Sequence, residues 1–370
     1  MSKILFIFFL GIFSLLQTQV QAQVQAQADP SSGPENPWEK IRTPIVRDGE
    51  TNPVGFYSLG CIIGAEKMEI STKVWEVVNV FRNRYYGQPE MREFLEYLGT
   101  EVARTKKKKI VLGDISLPGG GPTVSGHASH QTGLDIDIRY RFVDVDKTLD
   151  DGERSHFAAP DIAIHKVDEI KKGTQTKYVL TTQLVGKKLA SDVVESLRIA
   201  ASYPSTERIF VSPPIKKALC EIYKPGTDGS YPTWLLKVSP YFGHADHYHV
   251  RLGCPANEPD CKKQDPVVPH KNDPTKVGCA GSNLEWWYAT DPKEDSFFKD
   301  QIDELKKPPG PTPPPSWIAK MCKLPRKCRD LVNMAPFSCP KEEEKPPRRA
   351  ELFDPETITP ERIPIPVKQD

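Results

Sequence analysis

The sequence predicts an α+β fold in which a central antiparallel sheet is flanked by helices and stabilised by disulfides. Three observations predict it. Strand-like and helix-like segments are mixed along the chain without a regular strand–helix–strand alternation, which disfavours a parallel sheet. Two segments alternate apolar and polar residues with the period of a half-buried strand. The eight cysteines are an even number in a chain that begins with an export-signal pattern, which favours disulfides over free thiols.

Residues 1–28 are predicted to be a signal peptide that is removed on export. Lys3 precedes an apolar stretch at residues 4–16, and small residues then offer three cleavage sites. These sites follow Ala22, Ala26 and Ala28. A 13-residue helix rises about 20 Å against a bilayer core of about 30 Å, so we expect no membrane span. No cysteine lies near the cleavage sites, so we expect no lipid anchor, and export would place the mature protein in the periplasm.

Charge is balanced along the mature chain. The whole sequence has 50 basic and 49 acidic residues, and Lys3 leaves with the signal peptide. Balanced charge gives no argument for a nucleic-acid partner or an anionic membrane partner, and we predict neither.

Composition divides the mature chain into four parts. Residues 29–52 are polar and contain prolines, which predicts a loose N-terminal arm, and residues 53–300 have the length and apolar content of one globular domain. Residues 301–339 combine a Pro-rich spacer with a three-cysteine segment that we expect to dock onto the domain. Residues 340–370 are charged and Pro-rich, which predicts a disordered tail.

Periodicity predicts the elements of the domain in order. Apolar residues at helical spacing predict helices at 73–86, 90–104, 189–203 and 213–224. Alternating or short apolar runs predict strands at 109–116, 133–140, 207–212 and 247–252. Prolines stand at the start of the last helix, where a missing N–H costs nothing because the first helical N–H has no partner within the helix.

Histidines are concentrated in two short segments, residues 125–137 and 241–252, which hold five of the eight. The five are His127, His130, His244, His247 and His249. Carboxylates lie beside them in both segments. Neutral imidazoles together with a carboxylate are typical zinc ligands, and three protein ligands with one open position are typical of a catalytic site.

The two segments each contain a predicted strand with its polar residues on one face. If the two strands are neighbours in the sheet, Asp137 and His249 converge on the same side. His130 lies in a Gly-flanked loop just before the first strand and can fold over that face. The predicted zinc ligands are therefore His130, Asp137 and His249, with water in the fourth position, so the sheet is predicted to carry the site.

Other interpretations of these residues are weaker. A lone His-x-His on a strand is more often an ordinary polar face than a ligand pair. Ser125 and Ser129 lie near histidines, but the GxSxG turn that many serine hydrolases use is absent. A zinc site made of thiolates would need CxxC pairs, and the sequence has none. The residues alone leave the disulfide pairing open, although Cys254 and Cys261 are the easiest pair to close locally.

The site residues resemble those of the murein peptidase superfamily that groups lysostaphin-type, D-Ala-D-Ala and hedgehog-type zinc folds. His130 and Asp137 fit its HxxxxxxD pattern, and His247 with His249 fits its HxH pattern. The run GHASHQTGLDID, followed far downstream by HxxHxHVRLxCP, is similar to the penicillin-insensitive murein endopeptidases in particular. The likeness covers about residues 54–331, which is most of the mature chain.

The resemblance implies a function. It implies a zinc enzyme that hydrolyses the D-alanyl–meso-diaminopimelyl cross-link of peptidoglycan with a metal-activated water and is insensitive to penicillin. His247, or alternatively His127, would take the proton of the water and pass it to the leaving amine. His127 and His244 also match family positions, where they would stabilise the substrate or the oxyanion or orient the other groups. A protonated imidazole at either would suit the oxyanion. The alternatives are a related zinc D,D- or L,D-carboxypeptidase and a non-catalytic wall-binding protein. The presence of every presumed ligand and of His247 argues against the last.

The resemblance also implies a disulfide pattern. The implied pairs are Cys220–Cys279, Cys254–Cys261 and Cys61–Cys328. Cys322 and Cys339 would then form an extra pair that departs from the family pattern.

Overall fold

The structure is a computed structural model. It describes residues 36–47, 51–123, 128–172, 175–186, 188–226, 230–241, 243–269, 275–279 and 321–332. Its strands are β1 (Asn52–Phe56), β2 (Leu59–Ile63), β3 (Glu66–Lys67), β4 (Trp75–Val77), β5 (Tyr86–Gly87), β6 (Lys108–Leu112), β7 (Asp135–Arg139), β8 (Val143–Asp144), β9 (Ala163–Lys172), β10 (Gln175–Leu184), β11 (Thr206–Val211), β12 (Val238–Pro240) and β13 (His247–Leu252). Its α-helices are α1 (Pro89–Lys106), α2 (Asp151–Ser155), α3 (Ser191–Ser202), α4 (Pro213–Ile222) and α5 (Arg326–Leu331). Short 3₁₀ helices span Pro37–Lys40, Val80–Arg82 and Thr233–Lys237.

A seven-stranded sheet forms the centre of the described structure, in the order β12-β11-β13-β7-β6-β4, with β8 paired to β6. The inner pairs β11–β13, β13–β7 and β7–β6 are antiparallel. The outer pairs β11–β12 and β4–β6 are parallel. The predicted α+β class with an antiparallel centre is confirmed, and the parallel pairs at the two edges are an addition that periodicity did not reveal.

The apolar faces of β7 and β13 belong to one hydrophobic core with helices α1 and α3. Ile136 and Val250 are fully buried, and so are Phe94 of α1 and Leu197 of α3. The opposite faces of the same two strands are thereby left for the polar residues. α1 contacts β6 and α3 contacts β11, so the helices flank the sheet as predicted.

The helix predicted at residues 73–86 is wrong. This stretch contains β4, a 3₁₀ turn at Val80–Arg82 and the start of β5. Asn79 and Asn83 both adopt the left-handed conformation with φ +54°, which breaks a right-handed helix and which asparagine tolerates better than most residues. Trp75 lies in β4 opposite Ile110 of β6. Tryptophan and valine, the two apolar residues of Trp75–Val77, are residue types that favour strands. The remaining predicted helices and strands are present, with ends shifted by a few residues.

Three disulfides fasten the described structure. They are Cys61–Cys328, Cys220–Cys279 and Cys254–Cys261, the pairs that the resemblance implies. The first joins β2 to α5, which packs onto a separate apolar cluster that includes Trp38 and Leu117. Residues 36–47, within the segment predicted as a loose arm, contribute Trp38 to this cluster, and its side chain is fully buried. Cys322 is disulfide-bonded, and Cys339 lies outside the described residues.

Several predictions concern parts of the chain outside the described residues. These parts are the signal peptide at residues 1–28, His127, the spacer at residues 301–320 and the tail at residues 340–370. Among the residues that the structure describes, no helix is long and apolar enough to span a bilayer.

Candidate metal centre

The register of two neighbouring strands brings the polar residues of both histidine segments together. β7 and β13 are antiparallel, and Asp137 lies directly opposite His249. His247 lies opposite Arg139. Residues paired in this way project their side chains to the same face of a sheet. His130 lies in the loop before β7, and its side chain reaches the same face of the sheet. Its ring contacts that of His249, with 4.6 Å between the ring centroids.

Three potential ligand atoms converge at this point. His130 Nε2 lies 3.1 Å from His249 Nδ1. Asp137 Oδ1 lies 3.3 Å from each of these nitrogens. Ligands held at about 2.0–2.1 Å from a tetrahedral zinc ion are separated from one another by about 3.3 Å. All three side chains are buried, and among the described residues they form the one group of His, Cys, Asp and Glu with metal-ligand spacing.

Hydrogen bonds on the far side of each ring fix which nitrogen faces the centre. His130 Nδ1–H donates to the carbonyl oxygen of Ile115 at 2.9 Å. His249 Nε2–H donates to Asp135 Oδ1 at 2.8 Å. These assignments follow from the partners, and they leave lone pairs on His130 Nε2 and His249 Nδ1. Two lone pairs and a carboxylate oxygen therefore point at one another, and this donor set fits a cation.

Asp135 contacts two of the candidate ligands and lies outside the converging group. Its fully buried carboxylate accepts hydrogen bonds from His249 and from the Arg251 guanidinium, at 2.8 Å each. It also accepts the backbone N–H of His130 at 3.1 Å. Burial raises the pKa of the Asp135 carboxyl, but Arg251 and His249 outweigh burial and hold the pKa below its usual value. An ionised Asp135 thus holds both candidate histidine ligands from one position.

The loop that carries His130 has an unusual backbone. His130 has φ +65°, a left-handed conformation that costs energy for a residue with a side chain and that often marks functional sites. The neighbouring Gln131 secures the loop: its amide oxygen accepts the N–H of Gly60 at 3.1 Å and its side-chain amide donates to Ser58 at 2.7 Å. Contacts beyond the histidine itself therefore hold the strained residue in place.

His247 lies at the edge of the ligand group. Its Nε2 is 3.5 Å from Asp137 Oδ1, and its Nδ1 is 2.6 Å from Asp246 Oδ1. It is absent from the set of mutually close ligand atoms formed by His130, Asp137 and His249. The structure thus separates the two histidines of the HxH pattern: His249 belongs to the group of candidate ligands, and His247 lies beside that group.

His244 lies next to His247, with 5.1 Å between the ring centroids, and its Nδ1–H donates to the Tyr241 carbonyl at 3.2 Å. Burial, together with the charges of His247 and His249, lowers the pKa of His244 well below its usual value. The neutral ring is favoured at neutral pH. The resemblance offers a protonated oxyanion-binding role to His244 and to His127, and His127 lies outside the described residues.

Sequence reasoning missed two carboxylates as site residues. Asp135 and Asp246 were visible beside the histidines, but their function depends on which ring nitrogen each one contacts. The available signal was position: Asp135 shares the polar face of β7 with Asp137, and Asp246 adjoins His247. A carboxylate behind a ligand histidine is common at protein metal sites, and Asp135 has this position behind His249.

This arrangement defines the class of protein: an α+β chain with a candidate three-ligand metal centre of the catalytic type. A family model for penicillin-insensitive murein endopeptidases matches residues 53–333. A penicillin-insensitive murein endopeptidase of Haemophilus influenzae is 36% identical over 278 residues, which cover 74% of this chain and 85% of the relative. Proteins of the same name from Escherichia coli and Shigella boydii are 34% identical over 278 residues, covering 75% of this chain and 88% of each relative. The chain belongs to the penicillin-insensitive murein endopeptidase family.

Proposed function

We propose that this protein is a zinc-dependent murein endopeptidase that hydrolyses the D-alanyl–meso-diaminopimelyl cross-link between the stem peptides of peptidoglycan. The observation that carries the proposal is the convergence of His130, Asp137 and His249 within 3.1–3.3 Å in a chain of this family. The names of the relatives support the murein substrate and the insensitivity to penicillin.

In the proposed site, His130 Nε2, His249 Nδ1 and an Asp137 carboxylate oxygen hold the ion. When bound, zinc supplies a Lewis acid that polarises a carbonyl oxygen and lowers the pKa of water to about 7. His247 Nε2, beside Asp137, accepts a proton from the attacking water and returns it to the leaving amine nitrogen. The proposed route has no serine nucleophile for a penicillin to acylate.

Substrate and signal sequence together suggest the location. The enzyme would act on the cell wall, and the predicted signal peptide at residues 1–28 would deliver it to the periplasm. The proposed binding partner in the periplasm is the peptidoglycan, through its peptide cross-links.

A muropeptide profile tests the proposal. Purified sacculi are digested with the mature protein, with and without a chelator, and then with zinc added back. We expect cross-linked dimers to become monomers, chelation to stop this change and zinc to restore it. Shortened stem peptides with intact dimers would instead indicate a carboxypeptidase, and no change with a folded, zinc-loaded protein would indicate a wall-binding role.

A further inference from the structure

We propose that Asp246, held by Arg139, is a positioning residue that aims His247 at the metal centre. The inference rests on the proposed function, in which His247 transfers the proton. It adds a role for the Asp246–Arg139 pair, which neither the ligand pattern nor the likeness to the family assigns.

The contact between Asp246 and His247 is short and directional. Asp246 Oδ1 lies 2.6 Å from His247 Nδ1, so Nδ1–H donates to the carboxylate. This hydrogen bond leaves the lone pair of the neutral ring on Nε2, the nitrogen that lies 3.5 Å from Asp137 Oδ1. An acidic residue in this position holds the imidazole of a hydrolase triad in its productive tautomer and orientation.

Asp246 is itself held on both its side chain and its backbone. Its Oδ2 accepts a hydrogen bond from Arg139 Nη1, and Arg139 lies opposite His247 in the β7–β13 pairing. The Asp246 carbonyl accepts the N–H of Tyr140 at 3.2 Å, and the preceding carbonyl accepts the N–H of Ile162 at 2.8 Å. The Asp246 carboxylate therefore has little freedom to move away from the His247 ring.

Stability alone is a poor explanation for this pair. The side chain of Asp246 is 29% exposed and that of Arg139 is 14% exposed. Ion pairs that solvent reaches contribute little to folding. A second cross-strand ion pair outside the candidate centre serves as a comparison: Asp144, which is 63% exposed, pairs with Lys108 of the neighbouring strand β6 at 2.5 Å.

The test compares Asp246→Asn with Asp144→Asn in the full mature, zinc-loaded protein, using a purified cross-linked dimeric muropeptide as substrate. For Asp246→Asn we expect kcat to fall about 100-fold or more, because proton transfer loses its oriented base. KM and zinc content should stay within about twofold of the wild-type values. Asp144→Asn should retain the wild-type kcat.

Two further measurements keep the inference open to refutation. In a His247→Ala background, Asp246→Asn should cause no additional loss of kcat, because the two residues act as one unit. In the ¹⁵N spectrum of the neutral His247 ring, the proton should lie on Nδ1 in the wild type and redistribute between the two nitrogens in Asp246→Asn. If Asp246→Asn folds poorly, Arg139→Gln replaces it and should show a smaller fall of kcat together with the same redistribution.

Three outcomes would each overturn the inference. The first is a wild-type kcat in Asp246→Asn, and the second is that Asp246→Asn lowers kcat as much in the His247→Ala background as it does in the wild type. The third is a ring proton on Nε2 of His247 in the wild type. These outcomes differ from failure of the proposed function, in which the wild-type protein itself would leave the dimeric muropeptide uncut.

Discussion

The centre has two sides that are built alike and buried differently. On the side of the candidate ligands, the Asp135 carboxylate accepts a hydrogen bond from His249. On the side of His247, the Asp246 carboxylate accepts a hydrogen bond from His247. The side chain of Asp135 is fully buried and that of Asp246 is 29% exposed. The difference lies in the carboxylates, because both histidines are buried. The proposed ligand His249 has a partner in a dry environment, whereas the proposed proton carrier His247 has a partner that solvent reaches.

Removing a ligand should have the largest effect and should define the ligand side. We expect His249→Ala to lose both zinc and cleavage, with activity falling at least about 1,000-fold because the Lewis acid is gone. Zinc content by elemental analysis and cleavage of dimeric muropeptides check this expectation. The exposed histidine His156 provides the control, since His156→Ala should keep zinc and activity. Full cleavage by a metal-free His249→Ala protein would refute the ligand assignment.

Changing the carboxylate behind the ligand should have an intermediate effect. In Asp135→Asn, the shape is kept but the charge that orients His249 and pairs with Arg251 is lost. We expect zinc affinity to fall about 10–100-fold, as for other residues that orient metal ligands. Competition with a chromogenic chelator measures the affinity, and unchanged zinc binding would mean that Asp135 is only structural.

A substitution on the core-facing side of β13 should have the smallest effect on activity. Tyr248 lies between His247 and His249 in sequence but points into the core, where its hydroxyl hydrogen-bonds Ser196. Tyr248→Phe leaves the buried Ser196 hydroxyl without this partner and should lower the free energy of unfolding by about 1–2 kcal/mol. Chemical denaturation measures the loss. Zinc content and kcat should not change, and a large fall in kcat would show that the two faces of the strand are coupled.

The sequence was sufficient to predict β7, β13 and the faces on which two of the candidate ligands lie, because a period of two assigns residues to faces without knowledge of the rest of the fold. Asp137 and His249 are on one face by alternation, and the register places them opposite each other. Helical spacing failed at residues 73–86, where the pairing of β4 with β6 and two left-handed asparagines override the pattern. The parts played by Asp135 and Asp246 depend on ring orientation, which no one-dimensional pattern contains.

The most direct test of the account is the zinc content of His247→Ala, measured with its cleavage of dimeric muropeptides. The structure places His247 Nε2 3.5 Å from Asp137 Oδ1 but outside the converging group of ligands. We therefore predict that His247→Ala keeps about one zinc ion per chain while its cleavage falls to a residual rate. Loss of zinc would make His247 a ligand, and retention of both zinc and cleavage would remove it from proton transfer; either result would contradict the division of the centre into two sides.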